Sequence, residues 1–267
     1  LEQMSDAEVS EFLLQLIQVL RYEPYHDSSL ARFLLTRALR SQSRIGHMFF
    51  WYLKADMAVP EVSERYGILL EIYLNRSGLH RQEINDEIEL LTRLEGVART
   101  VKQTPTKEAR MKVIADGLAA IPFPRPVTLP LDSRFVVNGF VVEKCKYFDS
   151  KKVPLLLIFR NADPYGDPIH VIFKVGDDLR QDILTLQVMR VMDTLWKKQG
   201  TDYGMQLYKC VATGDSVGML EVVLNAETTT SIAKSLGGVL SDNPNTDWLT
   251  KNNTGRNSQS LTTPTNT

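Results

Sequence analysis

Residues 173–196, FKVGDDLRQDILTLQVMRVMDTLW, join the end of an apolar strand pattern to a strong helical pattern. The Gly176-Asp177-Asp178 sequence is suited to cap the start of this helix, and Gly200 follows its end, where a left-handed residue is preferred. Apolar residues recur on two stripes of the helix. We therefore expect it to be buried around most of its circumference.

Lys174 and Asp182 are the two residues of this stretch that point to chemistry. Lys174 ends the strand pattern VIFK, and Asp182 lies among apolar positions of the helix, where an unpaired carboxylate is costly to bury. We expect the two side chains to meet. Kinases use a strand lysine and an acid on the next helix in this way to hold nucleotide phosphates. The alternative is a purely structural ion pair, with Lys174 reaching the surface at a strand end.

Strand-like runs surround this helix, three before it and two after it. They predict a five-stranded antiparallel sheet in the order βββαββ. The runs are residues 140–147, 154–159, 169–174, 206–212 and 218–224.

The loop between the first two predicted strands is a second candidate for phosphate contact. It offers the Ser150 hydroxyl, main-chain N–H groups and the ammonium groups of Lys151 and Lys152. It contains no glycine, so the glycine-rich pattern of protein kinases is absent. A solvated basic hairpin tip is the alternative interpretation.

The first half of the chain has helical periodicity. Residues 45–53 carry the cleanest apolar stripe, Pro60 suits the first turn of the next helix, and Gly78 lies just beyond that helix. His47 is expected to be a core or interhelical histidine, because no second His or Cys stands at metal-ligand spacing. Short connections predict antiparallel helices stacked like part of a solenoid. The predicted fold class is therefore α+β.

Composition shifts predict the domain boundaries. Residues 121–130, IPFPRPVTLP, contain four prolines, and residues 250–267 contain twelve Ser, Thr or Asn. We predict five regions in order: helical accessory domain 1–118, Pro-rich linker 119–130, sheet domain 131–224, the start of a second helical lobe 225–249, and a disordered polar tail 250–267.

Charge and cysteine content exclude several classes of protein. The chain has 31 Lys and Arg against 32 Asp and Glu, which argues against a nucleic-acid partner. Two cysteines, Cys145 and Cys210, exclude a disulfide framework and a four-cysteine zinc site. They are expected to be core residues in a reducing, cytoplasmic setting. No apolar run approaches the roughly 20 residues of a membrane-spanning helix.

The residues described above resemble the catalytic subunits of phosphatidylinositol 3-kinases. Residues 173–196 resemble the segment around the nucleotide-binding lysine of that family, residues 16–53 its helical accessory domain, and residues 218–223, GMLEVV, its hinge. The resemblance covers roughly residues 10–250. It implies a protein-kinase-like N-lobe with one C-helix after the accessory domain, followed by the start of a helical C-lobe.

The resemblance also implies roles for individual residues. On the phosphate side, Lys174 would contact ATP, Asp182 would orient Lys174, and Ser150 and Lys152 match positions of the phosphate loop. On the adenine side, Ile172 would line the site, and Tyr208 matches the tyrosine at the back of the affinity pocket. Leu220 and Val222 would supply apolar walls, and the main chain of Glu221 and Val223 matches the hinge. The family often has a tryptophan where this chain has Leu156.

Members of this family transfer the γ-phosphate of ATP, with Mg²⁺, to the 3-hydroxyl of a phosphoinositide. The resemblance implies these partners, a regulatory subunit, and a cytoplasmic enzyme recruited peripherally to membranes. The catalytic-loop and D-F-G motifs do not occur in this sequence, so no catalytic residues or metal ligands are assigned, and we predict that this chain alone is inactive. The alternative is a non-catalytic truncated form that serves as a protein-interaction module.

Overall fold

The computed structural model describes residues 3–235 and 244–253, and for residues 244 and 245 it describes the main chain only. The chain divides into two units, Leu1–Val222 and Val223–Thr267. The first unit combines helices with an antiparallel sheet, which confirms the predicted α+β class.

Six helices form the N-terminal part of the first unit. Helix α4 has Pro60 in its first turn, as predicted, and the serine and threonine caps Ser5, Ser28 and Thr106 begin three others. Successive helices pack on one another, in agreement with the predicted stacked arrangement. The helices are α1 (Asp6–Val19), α2 (Ser29–Arg40), α3 (His47–Ala55), α4 (Pro60–Arg76), α5 (Leu79–Gln103) and α6 (Lys107–Ala119).

The rest of the first unit is a sheet with one long helix, α7 (Arg180–Lys198). The strand order is β1-β2-β4-β5-β7-β6, with β3 paired to β4, and every pair is antiparallel. The strands are β1 (Val127–Leu129), β2 (Asp132–Phe140), β3 (Lys146–Tyr147), β4 (Leu155–Asn161), β5 (Ile169–Val175), β6 (Cys210–Gly214) and β7 (Val217–Glu221).

The predicted number of five strands is wrong, because the described residues contain seven. Strand β1 lies inside the predicted Pro-rich linker, where it is tolerated because an edge strand needs fewer main-chain donors. The predicted strand 140–147 is interrupted by a 3₁₀ turn at Val142–Lys144. This turn brings Cys145 into the core, where its Sγ accepts the main-chain N–H of Ile158 at 3.3 Å. The predicted domain boundaries themselves stay predictions.

The prediction that α7 is buried around most of its circumference is also wrong. Leu184, Val188 and Leu195 are 45%, 51% and 55% exposed. The buried stripe is the opposite one, which includes Leu179 and Ile183. The reason is that the sheet and the accessory helices contact only one side of α7. The periodicity of the sequence shows two apolar stripes but not which of them packs against these elements.

In the second unit, the described residues form two short helices, α8 (Thr229–Ser235) and α9 (Pro244–Asn252). The predicted second lobe at 225–249 stays a prediction. Helix α9 continues through residues 250–252, so the first residues of the predicted disordered tail are helical. Residues 254–267 of that tail lie outside the described part of the chain. Within the described part, no helix is long and apolar enough to cross a membrane.

A buried polar cluster joins α3 and α5 to the turn between β1 and β2. The indole N–H of Trp51 donates to Glu87 at 2.8 Å, and His47 Nε2 lies 3.1 Å from the carbonyl of Pro130. Glu87 is fully buried, and burial raises its pKa well above the usual value. Burial also lowers the pKa of His47 to about 4. His47 is therefore an interhelical core histidine, as predicted.

Replacing Glu87 by glutamine is expected to raise the free energy of unfolding relative to wild type, by a difference that grows as the pH rises. A carboxyl whose folded pKa is raised holds its proton in the folded state, so its contribution to stability falls as pH rises from about 4.5. The amide of the variant does not titrate and can still accept the Trp51 hydrogen bond. The stability difference should grow by at most about 1.4 kcal/mol per pH unit. Urea unfolding at pH 5 and pH 8 measures it, and an equal difference at both pH values would contradict the assignment.

Replacing Gly46 by alanine is expected to destabilise the first unit. A Cβ at this position would lie 2.7 Å from the main-chain oxygen of Ala38 and would collide with the hydroxyl of Tyr73. Overpacking of this kind costs about 1–3 kcal/mol. The matched control is Gly96→Ala in α5, where nothing lies within 4 Å and the helix should gain up to about 1 kcal/mol. Thermal unfolding of both variants tests the pair, and equal effects would refute the packing argument.

Candidate functional site

The register of β5 places Ile172 and Lys174 on one face of the sheet. Ile172 lies opposite Leu156 of β4 and Leu220 of β7, while Lys174 lies opposite Gly218. Directly paired residues of neighbouring strands present their side chains on the same face. Ile172 and Lys174 are half-buried, so this face is accessible beside the predicted phosphate-binding lysine.

An apolar cluster on this face unites several predicted adenine-site residues. Leu179 and Ile183 of α7 pack with Ala55 of α3 and with strand residues of β6 and β7. The predicted site residues in this cluster are Ile172, Tyr208 and Leu220. The structure therefore brings together predicted site residues that are up to 48 positions apart in the sequence.

Lys174 pairs with Asp177 and not with Asp182. Its Nζ lies 2.9 Å from Asp177 Oδ2, and no ion pair with Asp182 occurs among the described residues. The expected direct pair is therefore not formed in this structure. The reason is local: the N–H groups of Gly176 and Asp177 both donate to the carbonyl of Ser216, at 2.7 and 3.1 Å, which folds the turn back toward the strand end.

Asp182 nevertheless lies in the same neighbourhood. Burial raises the pKa of the Cys210 thiol to about 12, the nearby charge of Asp182 also raises it, and the charge of Lys174 opposes the change. The charges of Asp182 and Lys174 therefore both act on the Cys210 thiol, which packs against the apolar cluster. Asp182 is half-buried on the first turn of α7 and forms no ion pair among the described residues.

The predicted phosphate loop closes without glycine because Val153 adopts a left-handed conformation, with φ of 50°. This is a strained conformation for a β-branched residue. Ser150 and Lys152 are exposed on the loop, and the ammonium group of Lys152 donates to the carbonyl of Gly176. The ammonium groups of Lys152 and Lys174 thus both contact the Gly176-Asp177 turn.

The predicted hinge begins at the end of β7. The N–H of Glu221 donates to the carbonyl of Lys209 at 2.8 Å, and the N–H of Lys209 donates to the Glu221 carboxylate at 3.0 Å. The carboxylate takes the place that a main-chain carbonyl usually has in an antiparallel pair. The N–H of Val222 donates to the carbonyl of His170 at 3.1 Å, and Val223 is the first residue of the second unit.

The arrangement suits a ligand with an apolar ring and an anionic group. The ammonium groups of Lys152 and Lys174 contact the same turn, and Lys174 shares one face of β5 with Ile172 of the apolar cluster. No group of three or more His, Cys, Asp or Glu side chains able to hold a metal was found in the described ranges.

Asp177 was not predicted as the partner of Lys174. Its position three residues after the strand lysine, in a turn that contains Gly176, was a usable signal in the sequence.

Two family models match the chain. The accessory domain (PIK domain) of the phosphoinositide 3-kinase family matches residues 1–86, and the phosphatidylinositol 3- and 4-kinase model matches residues 168–265. The first match covers helices of the N-terminal part, and the second covers the strand of Lys174, helix α7 and the hinge.

Named relatives match almost the whole chain. Phosphatidylinositol 3-kinase 2 of Dictyostelium discoideum is 55% identical over 92% of the chain, and phosphatidylinositol 3-kinase 1 of the same organism is 48% identical over 95%. The human phosphatidylinositol 4-phosphate 3-kinase C2 domain-containing subunit beta is 42% identical over 94%. The chain spans 13% to 16% of the length of these relatives. It therefore belongs to the phosphatidylinositol 3-kinase family, with a match to the accessory domain at residues 1–86 and to the kinase domain at residues 168–265.

Proposed function

We propose that the complete protein containing this chain is a phosphatidylinositol 3-kinase that transfers the γ-phosphate of ATP to the 3-hydroxyl of a phosphoinositide. The convergence of Lys152 and Lys174 on one turn, beside the apolar face of Ile172 and Leu220, is the observation that carries the proposal. The names of the relatives support the choice of lipid substrate.

In this proposal the chain supplies the phosphate-binding side of the reaction. Phosphoryl transfer depends on positioning and on stabilisation of phosphate charge. Lys174, held on a strand paired on both sides, contacts the ATP phosphates, and Ser150 and Lys152 contact them from the loop. Asp182 orients Lys174 once the phosphates have displaced Asp177. Both ammonium groups already contact the Gly176-Asp177 turn, and ATP binding replaces these contacts by contacts with phosphate.

The chain also supplies the adenine side. Ile172, Leu220 and Val222 form apolar walls, with Tyr208 at the back of the site. The main chain of Glu221 and Val223 donates and accepts the hydrogen bonds that select adenine. Mg²⁺ neutralises phosphate charge in this class of reaction, and we place its ligands in the part of the kinase domain outside this chain.

The proposal extends to location and partners. A phosphoinositide headgroup lies at a membrane surface, so the enzyme is a cytoplasmic protein that is recruited peripherally to membranes. A regulatory subunit is a further proposed partner. The net charge of −1 supports a protein without a nucleic-acid partner.

A non-catalytic protein-interaction module is the second candidate. The observation that favours it is the exposed apolar stripe of α7, which includes Leu184, Val188 and Leu195. Exposed apolar stripes on helices are typical of docking surfaces. In this case the chain would act through contacts made by α7 and not through ATP.

The 267-residue chain by itself is expected to form no 3-phosphorylated lipid. The sequence lacks the catalytic-loop and D-F-G motifs on which phosphoryl transfer depends. The measurement is transfer of labelled γ-phosphate from Mg·ATP to phosphatidylinositol vesicles, with a complete family member as positive control. Labelled lipid above the background of vesicles without protein would overturn this prediction.

In the complete kinase, Lys174→Ala is expected to lower kcat/KM by about 10²-fold or more, because it removes a preorganised phosphate contact. The fold should be retained, since a partly exposed ion pair contributes at most about 1 kcal/mol. The matched control is Lys144→Ala, an exposed lysine outside the site. Unchanged ATP turnover in Lys174→Ala would reject the nucleotide role, whereas loss of the folded state would favour a structural ion pair.

A further inference from the structure

Helix α7 is attached to the accessory helices by two polar contacts that the sequence analysis did not foresee. The first is at its start. Arg180 Nη1 lies 2.9 Å from Asp56 Oδ1, and Asp56 is 8% exposed at the end of α3. Arg21 approaches the other oxygen of Asp56 at 3.7 Å. This contact holds the N-terminus of α7 against the accessory region.

The second contact is a pair of side-chain amides in the middle of the helix. Gln187 Nε2 donates to Gln15 Oε1 at 2.6 Å and to the carbonyl of Glu11 at 2.6 Å, while Gln15 Nε2 donates to Gln187 Oε1 at 2.5 Å. Gln187 is 8% exposed. A buried amide of this kind is destabilising unless it is hydrogen-bonded, and here each amide both donates and accepts.

Asp182 lies between these two contacts. It follows Arg180 by two residues and precedes Gln187 by five. The five residues between Asp182 and Gln187 correspond to about 7.5 Å along the axis of the helix. The apolar contacts of Leu179 and Ile183 are non-directional and by themselves do not specify the rotation of α7. Hydrogen bonds depend on distance and angle, so the amide pair sets the rotation and height of α7.

We propose that Gln187 and Gln15 are positioning residues of the ATP site. By fixing α7 against α1, the amide pair fixes where Asp182 stands relative to Lys174. In this structure Lys174 forms its ion pair with Asp177. For Lys174 to pair with Asp182 instead when ATP binds, α7 must hold Asp182 in one defined position. The accessory domain thereby sets the affinity of the kinase for ATP. This inference rests on the proposed function.

The test is Gln187→Met in the complete kinase. Methionine has a similar volume and cannot form the amide pair, so Gln15 loses its partner. We expect the KM for ATP to rise about tenfold, the equivalent of about one hydrogen bond. The KM for the lipid should stay unchanged, because the proposal assigns α7 a role in ATP binding only. The matched control is Gln199→Met, an exposed glutamine just after the end of the same helix, which should leave both constants unchanged.

A double variant, Gln15→Met with Gln187→Met, separates positioning from simple stability. Replacing both partners of a hydrogen bond by apolar groups of similar shape is nearly neutral for stability. We therefore expect the double variant to recover the unfolding temperature of the wild type but to keep the raised KM for ATP. A return of the KM to the wild-type value would show that packing alone matters and would overturn the proposal.

The outcomes also distinguish this inference from the proposed function. Normal wild-type kinetics together with an unchanged ATP KM in Gln187→Met would overturn only the positioning role. A wild-type protein without ATP-dependent lipid phosphorylation would overturn the proposed function, and the positioning role with it.

Discussion

The site depends on one constraint: the side chains of strand β5 alternate between a buried face and a half-buried face of the sheet. Val171, Phe173 and Val175 are buried on one face of the sheet, with α5 packed against the strand. Because side chains alternate along a strand, Ile172 and Lys174 must point to the other face. A slip of one residue would bury the lysine and expose the apolar residues, so pairing with β4 and β7 on both sides makes this register secure.

The accessory helices are part of the structure of the site and not only its neighbour. Helix α3 packs on β6, and Ala55 enters the same apolar cluster as Ile183 of α7. Asp56 and Gln15 hold α7 by polar contacts from two different accessory helices. A change in the accessory region would therefore reach the face of Ile172 and Lys174 through α7. This provides a physical reason for the two regions to occur in one compact unit.

The differences between prediction and structure arise because local sequence patterns do not show which parts of the chain become neighbours in the fold. Periodicity reports which residues are apolar but not which face meets a neighbour, so the stripe of Leu184 and Val188 was expected to be buried. Proline content marked residues 121–130 as a linker, although an edge strand forms there. Asp182 was expected to pair with Lys174 because of its apolar surroundings, but the turn at Gly176 brings Asp177 to the lysine first.

The sequence by itself determined the fold class, the order of helices and most strands, and the two-residue spacing that puts Ile172 and Lys174 on one face of β5. These follow from local periodicity and from resemblance, which are properties of neighbouring residues in the chain. The tertiary structure alone decided the partner of Lys174, the exposed side of α7 and the amide pair of Gln15 and Gln187. The amide pair joins residues 172 positions apart, and no local pattern specifies the distance between them.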